Sequence, residues 1–558
     1  MQSRSFPVGL RITEMVGVDM KFFKRCFLGI CIIALLLQTV VSAFNVEKVI
    51  GIDINSETFC NAFIRSADKV FYSDIYNKTL KSKTLELEEK VTDHTGAIVW
   101  SDNKAITINA KSRILEAVVP EVNNNGLYTL EMTLKQNGTV CDVFNGEFTV
   151  TEGKRTTDDV GVCTHLYLYG DKKIVSLLKN LGFSMIRDEA MWDFVENSRG
   201  QYKIPDRVQS YVEYANQKNL DILMPLTYGN HLYMSNTSQM PYTSQMPYTD
   251  EQINAYVNYC KFVVSHFRDE VKYFEIWNEP NITAFNPENR TAADYTKLLK
   301  AAYEGIKSVN PNAVVIGGVC ATPDNVHEYY ESLNSVGAYN YMDAISIHLY
   351  SCFGTNPIGE GNREFEWVVN MLEKYNKPIW VSEVGYYSSP KFSEEEQAAY
   401  EARTAVLYKA NGKIDKVFFY DLQDDGNDAS NAEHNFGMIT SDLRAKPNFA
   451  SVAAAVHFTG NAEIKETKQA NEYSLFKFRN DTENEDIYAL WTKGGRSINA
   501  NITYGNAFEA ELSGNNLNIT LPQTDKNLYY ADCFGKETQV QNGYNFTLDY
   551  KPAYIICR

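Results

Sequence analysis

Two short runs of the sequence each deliver a glutamate directly after apolar, strand-forming residues. The first is Tyr-Phe-Glu-Ile-Trp-Asn-Glu-Pro-Asn at 273–281, which contains Glu279, and the second is Pro-Ile-Trp-Val-Ser-Glu-Val-Gly at 378–385, which contains Glu383. Cleavage of a glycosidic bond needs two carboxyl groups held across a pocket. One enters protonated and donates to the leaving oxygen, whereas the other stays ionised and attacks or stabilises the anomeric carbon. The two runs therefore predict paired-carboxylate chemistry on a sugar.

The spacing of the two glutamates indicates where they lie in a fold. They are 104 residues apart (383 − 279), and one βα unit takes about 30 residues or more. Three such units fit between them. This places the glutamates after strands four and seven of an eight-stranded barrel, on nearly opposite sides of its mouth.

The elements around these runs support such a barrel. Eight strand-like runs alternate with helical stretches, and they end near His165, Arg187, Thr227, Trp277, Gly317, His348, Ser382 and Asp421. Two helices begin with capping-box sequences, at 249–252 and 393–396. Eight alternating units over about 300 residues are typical of a (β/α)₈ TIM barrel, which carries its chemistry at the carboxyl ends of the strands. We assign residues 154–457 to this barrel.

The flanking segments have a different pattern. Residues 44–153 contain short runs of alternating polarity separated by turn residues, which predicts an N-terminal β-sandwich of immunoglobulin-like form. Residues 458–558 repeat this style and predict a C-terminal β-sandwich. The fold class is therefore α/β, a TIM barrel flanked by two β-sandwiches.

The first 43 residues are typical of a signal peptide. Lysines and an arginine at 21–25 precede an apolar run at 27–41, and Val-Ser-Ala at 41–43 offers small residues for cleavage. The run is short for a bilayer-spanning helix, so we expect a secreted or lumenal protein without a stable membrane span after cleavage. A retained signal anchor is the alternative. Nine Asn-x-Ser/Thr triplets follow, at Asn77, Asn137, Asn236, Asn281, Asn289, Asn480, Asn501, Asn518 and Asn545, and they predict a glycoprotein.

The cysteines favour disulfides rather than a metal site. The chain has 10 cysteines, and two of them fall within the first 43 residues. An even number in a secreted chain permits disulfides, with Cys60–Cys141 and Cys533–Cys557 as candidate bridges. The spacing of Cys and His residues does not suggest a metal site, and we expect no cofactor. The formal charge of −17 argues against a nucleic-acid partner.

Trp-Asn-Glu-Pro-Asn followed by Ser-Glu-Val-Gly resembles the clan A retaining glycoside hydrolases, most closely family 39. The resemblance extends from about residue 159 to residue 457 and implies that Glu279 is the acid/base and Glu383 the nucleophile. It also implies that Arg187, at the end of strand two, lies near the nucleophile. His348 and Tyr350 match a His-x-Tyr pattern after strand six and would contact the sugar or the two glutamates. The implied partner is a carbohydrate substrate.

Other polar residues at strand ends are candidates for substrate binding. Asn278 can donate its amide to a sugar 2-hydroxyl, and His165 and Tyr228 follow strands one and three. Two other functions share these residues. A non-catalytic carbohydrate-binding or adhesion protein could use the same barrel, and a transglycosylase would differ only in how well water is excluded.

Overall fold

The computed structural model describes residues 49–154, 157–168, 172–234, 244–322, 326–350 and 367–558. The proposed signal peptide, Cys352 and Asn236 lie outside these ranges. Among the described residues, no helix is both long and apolar enough to cross a membrane.

The N-terminal part forms two packed sheets. Its strands are β1 (Ile50–Ser56), β2 (Ala62–Ile64), β3 (Phe71–Asn77), β4 (Lys83–Asp93), β5 (Ile98–Ile108), β6 (Ser112–Val118), β7 (Gly126–Gln136) and β8 (Thr139–Thr151). One sheet has the order β1-β3-β6 and the other β2-β8-β7-β4-β5. In β4, Leu85, Leu87 and Val91 are buried and face the same side because side chains alternate along a strand. They share one apolar core with Ile75 of the other sheet, so this part is a β-sandwich.

The central part confirms the predicted barrel. Its strands are β9 (Val160–Cys163), β10 (Met185–Arg187), β11 (Asp221–Leu226), β12 (Tyr273–Ile276), β13 (Val314–Cys320), β14 (Ala344–His348), β15 (Ile379–Val384) and β16 (Ile414–Phe419). All eight neighbouring pairs are parallel, and β16 pairs with β9 to close the barrel. Counted within the barrel, β12 is the fourth strand and β15 the seventh, as the spacing of the glutamates predicted.

Helices surround the barrel. They are α1 (Leu178–Leu181), α2 (Trp192–Val195), α3 (Asp206–Gln217), α4 (Asp250–His266), α5 (Ala292–Val309), α6 (Val326–Ser335), α7 (367–373), α8 (Glu394–Asn411) and α9 (Pro447–Thr459). The predicted capping boxes are present at the starts of α4 and α8, where Thr249 and Ser393 accept hydrogen bonds from the backbone of Gln252 and Glu396. Free amide groups of each first turn are thereby satisfied.

The C-terminal part is a second pair of sheets. Its strands are β17 (Glu463–Gln469), β18 (Tyr473–Asn480), β19 (Glu485–Thr492), β20 (Ile498–Gly505), β21 (Glu509–Ser513), β22 (Asn516–Pro522), β23 (Leu528–Ala531), β24 (Glu537–Val540), β25 (Tyr544–Leu548) and β26 (Ala553–Cys557). The sheet orders are β17-β18-β19-β26-β23-β24 and β21-β22-β20-β25. Along β19, Ile487 and Trp491 pack in the core shared with the barrel, whereas Tyr488 and Leu490 pack against the second sheet. The six-stranded sheet is therefore buried on both faces.

The predicted disulfides were wrong. Every described cysteine is a free thiol. Cys60 packs in the core that includes the barrel, whereas Cys141 packs against the core of the N-terminal sandwich. Cys533 and Cys557 are likewise divided between the barrel-side core and the core of the C-terminal sandwich. Proximity in a module did not reveal on which face of a sheet each thiol lies.

Candidate active site

The backbone after β12 makes a sharp exit that places Glu279 at the barrel mouth. Trp277 and Glu279 have φ angles of 70° and 42°, in the left-handed region that non-glycine residues rarely adopt. Tertiary contacts hold them there. The amide of Glu279 donates to the carbonyl of Val319 at 2.9 Å, and Nε1 of the buried Trp277 donates to the carbonyl of Phe285 at 2.9 Å. Strain of this kind is concentrated at functional sites.

Glu383 lies at the carboxyl end of β15, where every residue is buried. It pairs with His348 of β14 across a register shift in the two strands. Two residues later, a Cβ on Gly385 would lie 1.9 Å from the carbonyl oxygen of Tyr420. Only glycine permits this approach, so the chain leaves β15 tightly against the end of β16.

The carboxyl groups of both glutamates lie close to the imidazole of His348. Nδ1 of His348 lies 2.8 Å from Oε1 of Glu279 and 3.3 Å from Oε2 of Glu383. One oxygen from each carboxyl group and a nitrogen of His348 all lie within 4.8 Å of one another. His348 is completely buried, whereas each glutamate side chain is 11% exposed. Both carboxyl groups can therefore face a ligand in the mouth.

Two further donors hold Glu383. Nη1 of Arg187 donates to its Oε1 at 2.7 Å, and the hydroxyl of Tyr350 donates to its Oε2 at 2.7 Å. Arg187 also donates from Nε to Oε2 of Glu275 at 2.8 Å and from Nη2 to Oδ1 of Asn278 at 3.3 Å. One guanidinium thus joins the ends of β10, β12 and β15.

These contacts determine the charge states of the site. Burial alone would raise the pKa of Glu383, but the His348 imidazole, the Arg187 guanidinium and the Tyr350 hydroxyl hold it below its ordinary value. Burial alone would lower the pKa of His348, but the negative charge of Glu383 and the hydrogen bond to Glu279 raise it. Burial and the charge of Glu383 raise the pKa of Tyr350. Glu383 is therefore ionised, and Tyr350 remains a neutral donor.

A second polar group lies across the closure of the barrel, where β9 and β16 end. Nδ1 of His165 is 3.6 Å from Oδ2 of Asp421 and 3.4 Å from Oδ1 of Asp425. Burial would lower the pKa of His165, but these carboxylates and Glu189 raise it to about 10. Among the described residues, the buried Oδ1 of Asp421 has no hydrogen-bond partner, whereas the Asp425 side chain is 22% exposed. Asp425 is therefore the carboxylate of this group that can face a ligand.

Two triads bring potential metal-ligating atoms within 4.8 Å of one another: His165, Asp421 and Asp425, and Glu279, His348 and Glu383. In both triads the close approach is between an imidazole nitrogen and carboxylate oxygens. In each triad the imidazole is hydrogen-bonded to one carboxylate and lies within ion-pair distance of the other.

Aromatic side chains form a wall beside Glu383. The rings of Tyr350, Tyr420 and Phe436 meet edge to face, with centroid separations of 5.3 to 6.1 Å. Phe418 and Phe419, which precede Tyr420 in the sequence, are buried in the barrel. The aromatic residue that the end of β16 contributes to the mouth is therefore Tyr420.

The structure gathers most of the predicted site residues around the two glutamates. Arg187, Asn278, His348 and Tyr350 join the two glutamates through the contacts given above, and His165 lies beyond Tyr420 at a ring-centroid distance of 5.3 Å. The ring of Tyr228 instead stacks on Phe285 at 5.5 Å and meets the edge of Trp277 at 6.2 Å, so these contacts support the exit of β12.

Sequence reasoning missed three carboxylates. Asp421 and Asp425 follow β16 within a run of acidic residues, and Asp421 also ends the eighth strand-like run. Glu275 carried a clearer signal, because it is a charged residue within the apolar strand β12.

The comparisons agree with this geometry. Residues 220–386, which include both glutamates, match the family model described as Glycosyl hydrolases family 39. A family 39 glycoside hydrolase from the gut symbiont Bacteroides cellulosilyticus WH2 is 26% identical, with a TM-score of 0.68 over 86% of this chain and 96% of that chain. A GH30 endoxylanase from Clostridium papyrosolvens C71 is 11% identical, with a TM-score of 0.50 over 73% and 97% of the two chains, and shows the fold alone. Among curated proteins, none is significantly similar.

The family match covers the third to seventh barrel strands, and the family 39 structure extends the similarity to the flanking sheets. The chain is therefore similar to family 39 glycoside hydrolases, and this similarity supports its being a glycosidase.

Proposed function

We propose that this protein is a retaining glycosidase that cleaves O-glycosidic bonds by double displacement. The observation that carries the proposal is the approach of the Glu279 and Glu383 carboxyl groups to within 4.8 Å, from strands on opposite sides of the barrel. Retaining enzymes hold their two carboxyl groups about 5 Å apart, whereas inverting enzymes leave a wider gap for water.

Glu383 suits the role of nucleophile. Its carboxylate accepts hydrogen bonds from Arg187 and Tyr350, and its lowered pKa keeps it ionised. The two donors also fix the orientation of the carboxylate, which favours attack on an anomeric carbon placed above it.

Glu279 suits the role of acid/base. It is hydrogen-bonded to His348, and the neighbouring Asn278 is held by Arg187. In the first step Glu383 attacks the anomeric carbon while Glu279 gives its proton to the departing oxygen. In the second step Glu279 takes a proton from water, the water oxygen bonds to the anomeric carbon and Glu383 leaves. The configuration of the sugar is inverted twice and is therefore retained.

Other polar and aromatic residues of the mouth would bind the glycone. Asn278 can donate its amide to the 2-hydroxyl, and His165 and Asp425 offer a donor and an acceptor to other hydroxyls. Tyr420 and Phe436 can pack against the apolar face of a sugar ring. We also propose that the protein is secreted, on the strength of the segment at 1–43.

Covalent trapping tests the proposal. An activated 2-deoxy-2-fluoro glycoside, chosen from the sugar that gives the fastest release of nitrophenol in a panel of nitrophenyl glycosides, should label Glu383. Peptide mapping by mass spectrometry would locate the label. A label on another residue would refute the assignment of the nucleophile, and inversion of the product in NMR would refute the mechanism.

The same assays separate the alternatives. A non-catalytic carbohydrate-binding protein would release no nitrophenol and take no label. A transglycosylase would take the label but transfer the sugar to an added alcohol in preference to water.

A further inference from the structure

Glu275 is a second carboxylate on Arg187, and neither the sequence motifs nor the proposed mechanism uses it. Its side chain is completely buried, and its Oε2 accepts the Nε–H of Arg187 at 2.8 Å. Glu275 is two residues after Tyr273, whose ring packs in the cluster that fills the barrel, so both side chains point into the barrel. Glu275 thus lies beneath the two catalytic candidates.

Burial makes this carboxylate costly. A charged group inside a protein needs a partner of opposite charge and hydrogen bonds to its oxygens. Arg187 supplies a partner for Oε2, but Oε1 has none among the described residues. An apolar residue at this position would avoid the cost, and Tyr273, on the same face of β12, packs against the apolar cluster inside the barrel.

The geometry of the guanidinium indicates what the carboxylate does. The group is planar, and its N–H donors point in fixed directions. When Nε is fixed on Glu275, Nη1 is directed at Glu383 and Nη2 at Asn278. Without Glu275 the guanidinium could rotate and satisfy Glu383 in other ways.

The charge of Glu275 also affects Glu383. Arg187 is a single positive charge between two carboxylates, Glu275 and Glu383, so the negative charge of Glu275 offsets part of the positive potential at Glu383. If Glu275 were neutral, this offset would be lost and Glu383 would be held more strongly in its ionised form. A carboxylate held so strongly in its ionised form would be a weaker nucleophile.

We propose that Glu275 is a positioning residue: it orients Arg187 toward Glu383 and limits how much of the guanidinium charge Glu383 experiences. The inference rests on the proposed role of Glu383 as nucleophile. Glu275 touches no substrate and acts only through Arg187.

The test is the pH dependence of kcat/KM for Glu275→Gln, measured with the nitrophenyl glycoside that the wild-type enzyme cleaves fastest. The acid limb reports the ionisation of the nucleophile in the free enzyme. Loss of the Glu275 charge should move that limb to lower pH by about one unit. We also expect kcat to fall by about 10-fold or more, because the neutral amide oxygen of Gln holds the Nε–H of Arg187 less firmly than a carboxylate does.

Two variants separate charge from position. Glu275→Asp keeps the negative charge, but its shorter side chain moves the carboxylate away from the Nε–H of Arg187. We therefore expect kcat to fall while the acid limb of kcat/KM stays at its wild-type pH. Glu89→Gln is the matched control, because Glu89 is a buried carboxylate paired with Lys104 at 3.2 Å in the N-terminal sandwich. This control should leave both kcat and the acid limb unchanged.

An unchanged acid limb in a folded Glu275→Gln variant would overturn the inference even if activity fell, because a merely structural role lowers activity without moving the limb. If that variant does not fold, wild-type kcat in Glu275→Asp would overturn it instead. Trapping of wild-type Glu383 by the fluoroglycoside is independent of both results. A successful label with an unmoved limb therefore refutes only the role of Glu275.

Discussion

Substitution of Tyr350 by Phe should remove one hydrogen bond to Glu383, the proposed nucleophile, and leave the rest of the site in place. The hydroxyl of Tyr350 donates to Oε2 of Glu383 at 2.7 Å, and its ring packs edge to face against Tyr420 and Phe436. Phenylalanine keeps the ring and removes only the hydrogen bond. His348, at 3.3 Å, and Arg187 remain as the other partners of this carboxylate.

The size of the effect follows from the type of hydrogen bond. A hydrogen bond to a charged group contributes about 1.5–3 kcal/mol, and one pKa unit corresponds to about 1.36 kcal/mol. Loss of the bond should therefore raise the pKa of Glu383 by about 1–2 units. Glu383 must be ionised to attack, so the acid limb of kcat/KM should move to higher pH by the same amount. This direction is opposite to that expected for Glu275→Gln.

The assay is a pH profile of kcat/KM with an aryl glycoside, with circular dichroism to show that the variant is folded. Tyr128→Phe is the matched control. The hydroxyl of Tyr128 is buried in the N-terminal sandwich and donates to the carbonyls of Asn124 and Asn125, so its loss should not move the limb. An acid limb for Tyr350→Phe that coincides with that of the control would refute the reasoning.

Three further outcomes are expected. Glu383→Gln should fold but lose about 10⁴-fold or more in kcat, since no nucleophile remains; rapid turnover in a steady-state assay would contradict the assignment. Glu279→Ala should be inactive on substrates with poor leaving groups and be rescued by azide with retention of configuration, as product NMR would show. Asn77→Ala should lower the free energy of unfolding by about 2–4 kcal/mol, because the buried Asn77 amide donates to the carbonyls of Lys81, Ile108 and Asn109. Urea titration measures this, and a loss below about 0.5 kcal/mol would show that those hydrogen bonds contribute little.

The buried Asn77 also bears on the predicted glycosylation. Its side-chain nitrogen, the atom that would carry a glycan, is fully engaged with backbone carbonyls inside the sandwich. A glycan there is incompatible with this fold. An Asn-x-Ser/Thr triplet shows only that the residues needed for glycosylation are present. Whether the asparagine side chain is accessible depends on the sheets that pack around it.

The elements of the barrel were predictable because their signals are local. Apolar runs such as 344–348 and 379–384 form completely buried strands, and capping boxes marked the starts of α4 and α8. Parallel strands joined by helices close into a barrel whose carboxyl ends share one face. For this reason the distance in sequence between Glu279 and Glu383 was enough to place them at the same mouth.

The sequence by itself determined which strands deliver the two glutamates, because the period of the apolar pattern and the length of a βα unit are properties of the chain alone. Only the tertiary structure decided their partners. Glu275 meets Arg187, and His165 meets Asp421 and Asp425, across strands that are distant in sequence. The same is true of the cysteines, whose separation depends on which face of a sheet each occupies. Contacts of this kind depend on the register and closure of the sheet, which no short stretch of sequence encodes.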